Sequence, residues 1–248
     1  MQVTLQALIK DLKPNAEVLD YGCFGWQLHA RALELGRGDL KHSGSDILRP
    51  ATVPPSAAFL ESREADNSIA CDSDKFDLVV ASHVLEHVVK PVQLFGELVR
   101  VCKPGGKIYI ESPSDRSVTV PSSRDPEDHA VLNFWDDPTH VRPWTPAGFY
   151  RLAISYGCKP VHCAYISPSC GTFLAKLRLS LCKALFKGNG DLLTGDTWWA
   201  HEWCCNAVIE KPADVAGKPE YRYISLKGVP RGVDNALMLY GHLKGTAS

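Results

Sequence analysis

The chain has 248 residues, 45% of them hydrophobic and 22% charged, with 27 basic residues against 28 acidic ones and a formal net charge of -1. That length holds one substantial domain with insertions, and the composition is that of a globular protein. The near-neutral balance argues against a nucleic-acid partner, because neutralising phosphates requires a surplus of Lys and Arg.

In chain order, residues 3–12 read as a short amphipathic helix ended by Pro14. Asp11 and Pro14 interrupt the apolar core that a signal peptide needs, and no window reaches the roughly 18 apolar residues that span a bilayer. A cytoplasmic chain is expected. Residues 16–21 form a strand that runs into a Gly-bearing turn, and 27–35 a helix closed by Gly36. A second strand covers 42–47, and a short third covers 57–60. The apolar run at 76–82 is a strand buried on both faces. A helix follows at 92–102, stopped by Lys103-Pro104-Gly105-Gly106, and 107–111 is the next strand. Thr145-Pro146 pairs a cap residue with a first-turn proline and opens a helix that ends near Gly157. Residues 160–166 and 206–210 form a final strand pair around an insertion, 167–203, that carries one helix at 172–187. Residues 1–210 thus make a single α/β domain, and 211–248, rich in Gly, Pro and Lys, an extended tail lying on it. The nine cysteines show no C-x-x-C pair, and their odd number argues against a closed disulfide set. They read as small buried hydrophobes in a reducing compartment.

The chemistry starts at Asp20-Tyr21-Gly22-Cys23-Phe24-Gly25, between the first strand and its helix. Glycine there lets a ligand approach the backbone at a helix N-terminus. The spacing lacks the G-x-G-x-x-G of dinucleotide enzymes and the Lys-Ser/Thr of NTPases. Asp46 ends the second strand 26 residues after Asp20, where an acid can accept hydrogen bonds from two ribose hydroxyls. The structural alternatives are helix capping for Asp20 and a surface turn for Asp46.

With Val18 and Leu19, this turn resembles motif I of class I S-adenosylmethionine (SAM)-dependent methyltransferases, V-L-D-x-G-C-G-x-G. It departs from that motif where Phe24 and Trp26 replace the second and third glycines. Residues 76–88 (FDLVVASHVLEHV) and 98–106 (LVRVCKPGG) are similar to the family's fourth-strand segment and its turn into the fifth strand, in the same order and spacing. The resemblance is close over 14–113 and looser to 210. It implies a Rossmann-like fold, with a mostly parallel seven-stranded sheet, the last strand antiparallel, and helices on both faces. It also implies SAM as cofactor and S-adenosylhomocysteine as product. The cofactor residues it implies are Asp20, Gly22, Cys23, Phe24, Gly25, Asp46, Ile47, Asp66, Ser82, His83 and His87, with Asp66 meeting the adenine amino group. The Asn/Asp-Pro-Pro-Tyr/Phe tetrad of nucleic-acid amino methyltransferases is replaced by Ala81-Ser82-His83-Val84.

The loop at 134–146 concentrates Trp135, Asp136, Asp137, His140, Arg142 and Trp144. It resembles the W-D-x-x-H-x-R-x-[FWY]-[ST] segment of methyltransferase-like proteins found with glycan and lipopolysaccharide biosynthesis enzymes. Aromatic faces suit sugar rings, and an imidazole titrating near neutrality suits general-base work, so His140 is the expected base and His83 its rival. The structural alternative is a capped turn at Asp137 and Thr139, held by ion pairs. A metal at Asp136, Asp137 and His140 is a further alternative, but with no second His cluster no metal is expected. On helix 172–187, Leu174, Leu177, Leu181 and Leu185 line one face, which reads as a lid or dimer contact packed on the sheet. The alternative for that face is docking on a membrane that carries a lipid-linked substrate. The expected function is O-methylation of a sugar or glycan precursor. The alternatives are methylation of another small metabolite, or an inactive SAM-fold binding subunit.

Overall fold

The computed structural model describes residues 3–122, 133–166, 172–185 and 202–223. Helix α1 (Val3–Asp11) leads into strand β1 (Glu17–Tyr21), helix α2 (Gln27–Glu34) and strand β2 (Lys41–Asp46). Strands β3 (Ala57–Arg63), β4 (Ser68–Ile69) and β5 (Phe76–Ser82) follow, then helix α3 (Pro91–Val101) and strand β6 (Cys102–Pro113). Helix α4 (Pro146–Ser155), strand β7 (Lys159–Tyr165), helix α5 (Thr172–Leu185) and strand β8 (Cys204–Glu210) complete the order.

The sheet runs β4-β3-β2-β1-β5-β6-β8-β7. Strands β3, β2, β1, β5 and β6 are mutually parallel, and β8 is antiparallel to both neighbours. This is the expected seven-stranded sheet with its last strand reversed. To it is added β4, a two-residue edge strand antiparallel to β3 that is too short to leave a periodic signal in the sequence. Helices cover both faces. Leu5 and Ile9 of α1 and Leu28 and Ala32 of α2 pack with Leu78, Val80 and Tyr109 on one side. Leu94, Phe95 and Leu98 of α3 and Phe149 and Ala153 of α4 pack with Val79, Ile108 and Ile110 on the other. Alternate residues of β5 and β6 thus serve two cores, which explains their unbroken apolar runs.

Three local readings change. Lys103-Pro104-Gly105-Gly106 does not separate helix from strand. It lies inside β6 as an irregularity, with the register to β5 shifting between Phe76 and Leu78, and Gly105 and Gly106 exchange backbone hydrogen bonds with Lys211. Leu174, Leu177, Leu181 and Leu185 of α5 are exposed rather than packed on the sheet. Periodicity reports an apolar face but not the surface that covers it. The expected helix and strand starts at 92 and 107 move to Pro91 and Cys102. Among the described residues, no helix is long and apolar enough to cross a membrane. The seven cysteines described are free thiols, and all but Cys71 are buried. Trp198, Trp199 and residues 224–248 of the tail lie outside the described residues.

Candidate functional site

Strand order reverses at β1, whose neighbours β2 and β5 lie on opposite sides, and ligands of open α/β sheets bind beyond the carboxyl ends of the strands at such a point. Two cavities of about 480 Å³ each open there. Gly22, Phe24 and His83 border both. The first is also bordered by Tyr21, Asp46, Ile47, Asn67 and His87, the second by Asp20, Cys23, Gly25, Ser82 and Glu111.

The turn between β1 and α2 divides the two cavities, and its shape follows from its residues. Gly22 has φ 90, and a Cβ there would collide with Val84 Cγ2, so glycine is required on both counts. Trp26, at the position of the third motif glycine, keeps a left-handed backbone with φ 51 although it is not glycine. Its side chain is 7% exposed, and its indole N–H donates to the Thr52 carbonyl at 3.0 Å. Packing and one hydrogen bond offset a conformation that costs roughly 1–2 kcal/mol for an L-residue. Gly44 of β2 makes room for this side chain, since a Cβ at Gly44 would lie 2.6 Å from both the Trp26 ring and Cys23 Sγ. Phe24 is 70% exposed and stands between the cavities.

Two carboxylates dominate the electrostatics. Burial, with the Asp46 carboxylate adding to it, pushes Asp20 up to about 7. Burial and both carboxylates push the Cys23 thiol up to about 12, so it stays protonated. The sign of the effect on stability follows. The fold keeps a proton on Asp20 that the unfolded chain releases near pH 3.8, so this group's contribution falls as pH rises from about 4 to about 7 and is level above. In the cavity, a half-buried carboxylate whose ionised form is disfavoured in this way favours a cationic ligand.

Asp66 does not border the first cavity. Its carboxylate takes hydrogen bonds from the Ser68 N–H at 3.1 Å and hydroxyl at 2.7 Å and from the Arg63 guanidinium, closing its own turn. The adjacent Asn67, 8% exposed, borders the cavity in its place.

His83 is half-exposed at the end of β5, with φ 55. Nδ1 lies 3.3 Å from Glu86 Oε1, and Nε2 lies 3.6 Å from Glu111 Oε1 and 4.0 Å from Cys204 Sγ. Burial works against the imidazolium, but Cys204, Glu111 and Glu86 outweigh it and hold the His83 pKa well above its ordinary value. Glu111 and Cys204 were not anticipated. Glu111 had a signal, an acid at the carboxyl end of a buried strand, and the register pairs it with Ser82 at the end of β5. Cys204 had none, because the insertion separates it from everything it meets.

His140 borders neither cavity. Its side chain is 5% exposed, Nδ1 donates to the Phe134 carbonyl at 2.6 Å, and its ring stacks on Phe134 at 4.4 Å and lies 4.8 Å from His87. The rest of its loop is held by local bonds. Asp136 closes a capping box with Asn133, Asp137 accepts from the Thr139 N–H and hydroxyl, and the Arg142 guanidinium reaches the Val89 carbonyl at 3.4 Å. Trp144 is buried and stacked on Phe149, whereas Trp135 is 59% exposed. The loop is stitched to the segment after β5, because Val141 N–H donates to the Glu86 carbonyl at 2.7 Å and Thr139 Oγ1 meets His87 Nδ1 at 2.8 Å.

Comparison with known proteins gives three findings. A family model described as a methyltransferase domain matches residues 1–163. An uncharacterised methyltransferase of Mycobacterium leprae (strain Br4923) is 39% identical over 61 residues, 25% of this chain and 22% of that protein. The alignment therefore spans about a fifth of the length of the curated relatives. Among solved structures, a SAM-dependent methyltransferase from Archaeoglobus fulgidus matches with TM-score 0.55 at 19% identity, over 84% of this chain and 91% of that one. Phosphoethanolamine N-methyltransferase 2 of Haemonchus contortus, solved with S-adenosyl-L-methionine, matches with TM-score 0.55 at 16% identity, over 85% and 53%. Both likenesses are of fold.

Proposed function

Because the chain belongs to the methyltransferase-domain family, we propose that it transfers the methyl group of SAM to a hydroxyl of a sugar or glycan precursor. The observation that carries this reading is the pair of cavities that share Gly22, Phe24 and His83 as a border, with Asp46 and Glu64 at the first and Asp20 and a polar wall of His83 and Glu111 at the second. The adenosine half of SAM occupies the first cavity, its ribose hydroxyls on Asp46 and its adenine between Ile47 and Asn67. The methionine half enters the second cavity across Gly22, Cys23, Phe24 and Gly25, its ammonium on Asp20. Ser82 and His87 flank the cofactor.

The acceptor hydroxyl lies against His83 and Glu111, and its activation depends on them. As its oxygen bonds to the methyl carbon, the carbon–sulfur bond breaks with both electrons staying on sulfur, which releases neutral S-adenosylhomocysteine, and the hydroxyl proton leaves past His83 and Glu111 to solvent. His140 orients His87 and the loop. Of the loop residues, Trp135 and Arg142 belong to the acceptor side, with the exposed Trp135 face offered to a sugar ring, whereas Asp136, Asp137 and the buried Trp144 hold the loop's shape. The substrate class is tested by methyl incorporation from labelled SAM into a panel of sugar nucleotides and glycans beside amines and small phenols. Labelling of the sugars is expected, and labelling confined to the other acceptors overturns the sugar assignment. A binding subunit without turnover is the second reading. It is favoured by the two motif glycines that are Phe24 and Trp26, and turnover of any acceptor removes it.

Two predictions follow for the cofactor. Asp46→Ala is expected to weaken SAM binding by about 1.5–3 kcal/mol, the scale of hydrogen bonds to a charged group. Calorimetric titration giving equal affinities for the folded variant and parent removes Asp46 from the ribose. Binding of the SAM ammonium requires ionised Asp20, whose pKa without ligand is about 7. Affinity is therefore expected to fall by about tenfold per pH unit below that value and to level off above it. Asp20→Asn should flatten the profile, and a parent profile that is already flat between pH 5 and 8 contradicts the assignment.

A further inference from the structure

Three side chains far apart in sequence converge behind the second cavity. The nearest donor atoms of His83, Glu111 and Cys204 all lie within 4.8 Å of one another. Imidazole, carboxylate and thiol together form a mixed nitrogen, oxygen and sulfur donor set that suits Zn2+, with bonds of about 2.0–2.3 Å. The separations from Nε2, 3.6 Å to Glu111 and 4.0 Å to Cys204, lie within reach of side-chain rotation around one ion.

The surroundings are those that metal ligands need. A ligating imidazole is held by a carboxylate on its other nitrogen. Glu86 stands there, fully buried, with Oε1 3.3 Å from Nδ1 and without any hydrogen bond of its own, while Oε2 accepts from Ser112 Oγ at 2.7 Å. Glu111 Oε2 accepts from the Tyr109 hydroxyl, to which the Asn206 amide donates in turn at 3.3 Å. Two buried carboxylates thus flank a single imidazole. The His83 ring can balance only one of them, and the second charge is costly in a low-dielectric interior unless a further cation joins it. His83 also keeps φ 55, a backbone conformation uncommon for a residue other than glycine and met at functional positions.

We propose that His83, Glu111 and Cys204 bind a zinc ion as a three-ligand site whose fourth position opens into the second cavity. His83 and Glu111 border that cavity, and Cys204 on β8 closes the set from behind. Three protein ligands with an open position are the catalytic form of a zinc site, as opposed to the closed structural form. The proposal rests on reading this cavity as the place of methyl transfer and gives His83 and Glu111 their task there. An acceptor hydroxyl on the open position releases its proton to solvent. The oxygen then takes the methyl as already written, and the neutral ether leaves the ion.

The test uses the full chain, freed of metal by a chelator and titrated with Co2+ as a coloured substitute for Zn2+. Saturable binding of one ion is expected, with a thiolate-to-cobalt charge-transfer absorption that added Zn2+ removes. Cys204→Ser should abolish the absorption, and Glu111→Gln and His83→Asn should weaken binding at least tenfold. Cys71→Ser, which changes a half-buried thiol elsewhere, should alter neither. Circular dichroism checks that each variant is folded, and Glu111→Gln carries the test if Cys204→Ser is not. No saturable cobalt binding at micromolar concentration overturns the proposal, as does an absorption that persists in Cys204→Ser or an affinity unchanged in Glu111→Gln. SAM titration of the same samples separates the two readings. Cobalt without SAM binding defeats the methyltransferase reading and leaves the ion site, and SAM without cobalt binding defeats only the ion site.

Discussion

His83→Asn is expected to lower methyl-transfer turnover by about 10²–10⁴-fold, the range for loss of a group that assists proton removal. Asparagine is the informative replacement because it tolerates the left-handed backbone that His83 adopts, whereas Ala would add strain to the chemical loss. SAM affinity should change less than turnover, since His83 is one of many residues that border the two cavities. His140→Ala should behave differently. It removes a buried ring that stacks on Phe134 and donates to its carbonyl, so melting temperature and turnover should fall together. Turnover, SAM affinity and thermal melts on both variants separate the cases. Full activity in His83→Asn, with a large loss confined to turnover in His140→Ala, would exchange the two assignments.

Lys211→Met should destabilise the fold by about 3–5 kcal/mol, the usual consequence of removing one partner of a buried charge network. The lysine is fully buried, and its ammonium donates to Asp74 Oδ1 at 2.6 Å and to the carbonyls of Val99, Cys102 and Gly217 at 2.9, 2.8 and 2.5 Å. Methionine fills the space but removes the cation from the Asp74 carboxylate and the ammonium donor from three buried carbonyls. For a chain of this size the melting temperature should drop by roughly 6–20 °C. The network joins the end of α3, the irregular start of β6 and the segment after β8. Asp74 also accepts from the Gly217 N–H, and farther on Arg222 N–H donates to the Ser155 carbonyl at 2.6 Å while Tyr221 meets Tyr156 edge-on. A loss under about 1 kcal/mol in a thermal melt would mean that water or another cation replaces the ammonium.

What could be read from the sequence and what could not divides along a physical line. The β1–α2 turn, Asp46 and the segment after β5 were legible because each is local. A strand end, a glycine or a carboxylate at a fixed offset carries its meaning within a few residues. Asp66 and Asn67 show the limit of that approach. One is bonded within its own turn and the other borders the cavity, and only the placement of a two-residue strand decides which. The His83, Glu111 and Cys204 cluster depends on β8 returning between β6 and β7, and a 121-residue separation leaves no local trace. Lys211 read as one more cation in a tail, because a lysine that will be buried has the same sequence neighbourhood as one that will not. The α5 leucines show a related limit, since an amphipathic period does not say whether the sheet or another surface covers it.

The stitching of the 134–146 loop has a consequence for binding. Its Val141 N–H is bonded to the carbonyl of Glu86, the residue whose carboxylate faces His83, and its Thr139 is bonded to His87 at the edge of the first cavity. An acceptor that shifts this loop also shifts the wall of the other ligand's compartment, and a cofactor that braces the wall also braces the loop. Occupancy of the two compartments is then thermodynamically linked, and each ligand changes the other's affinity by the same factor. Calorimetric titration of each ligand with and without the other bound should accordingly give the same ratio of affinities in both directions, and affinities that do not depend on the other ligand contradict the linkage.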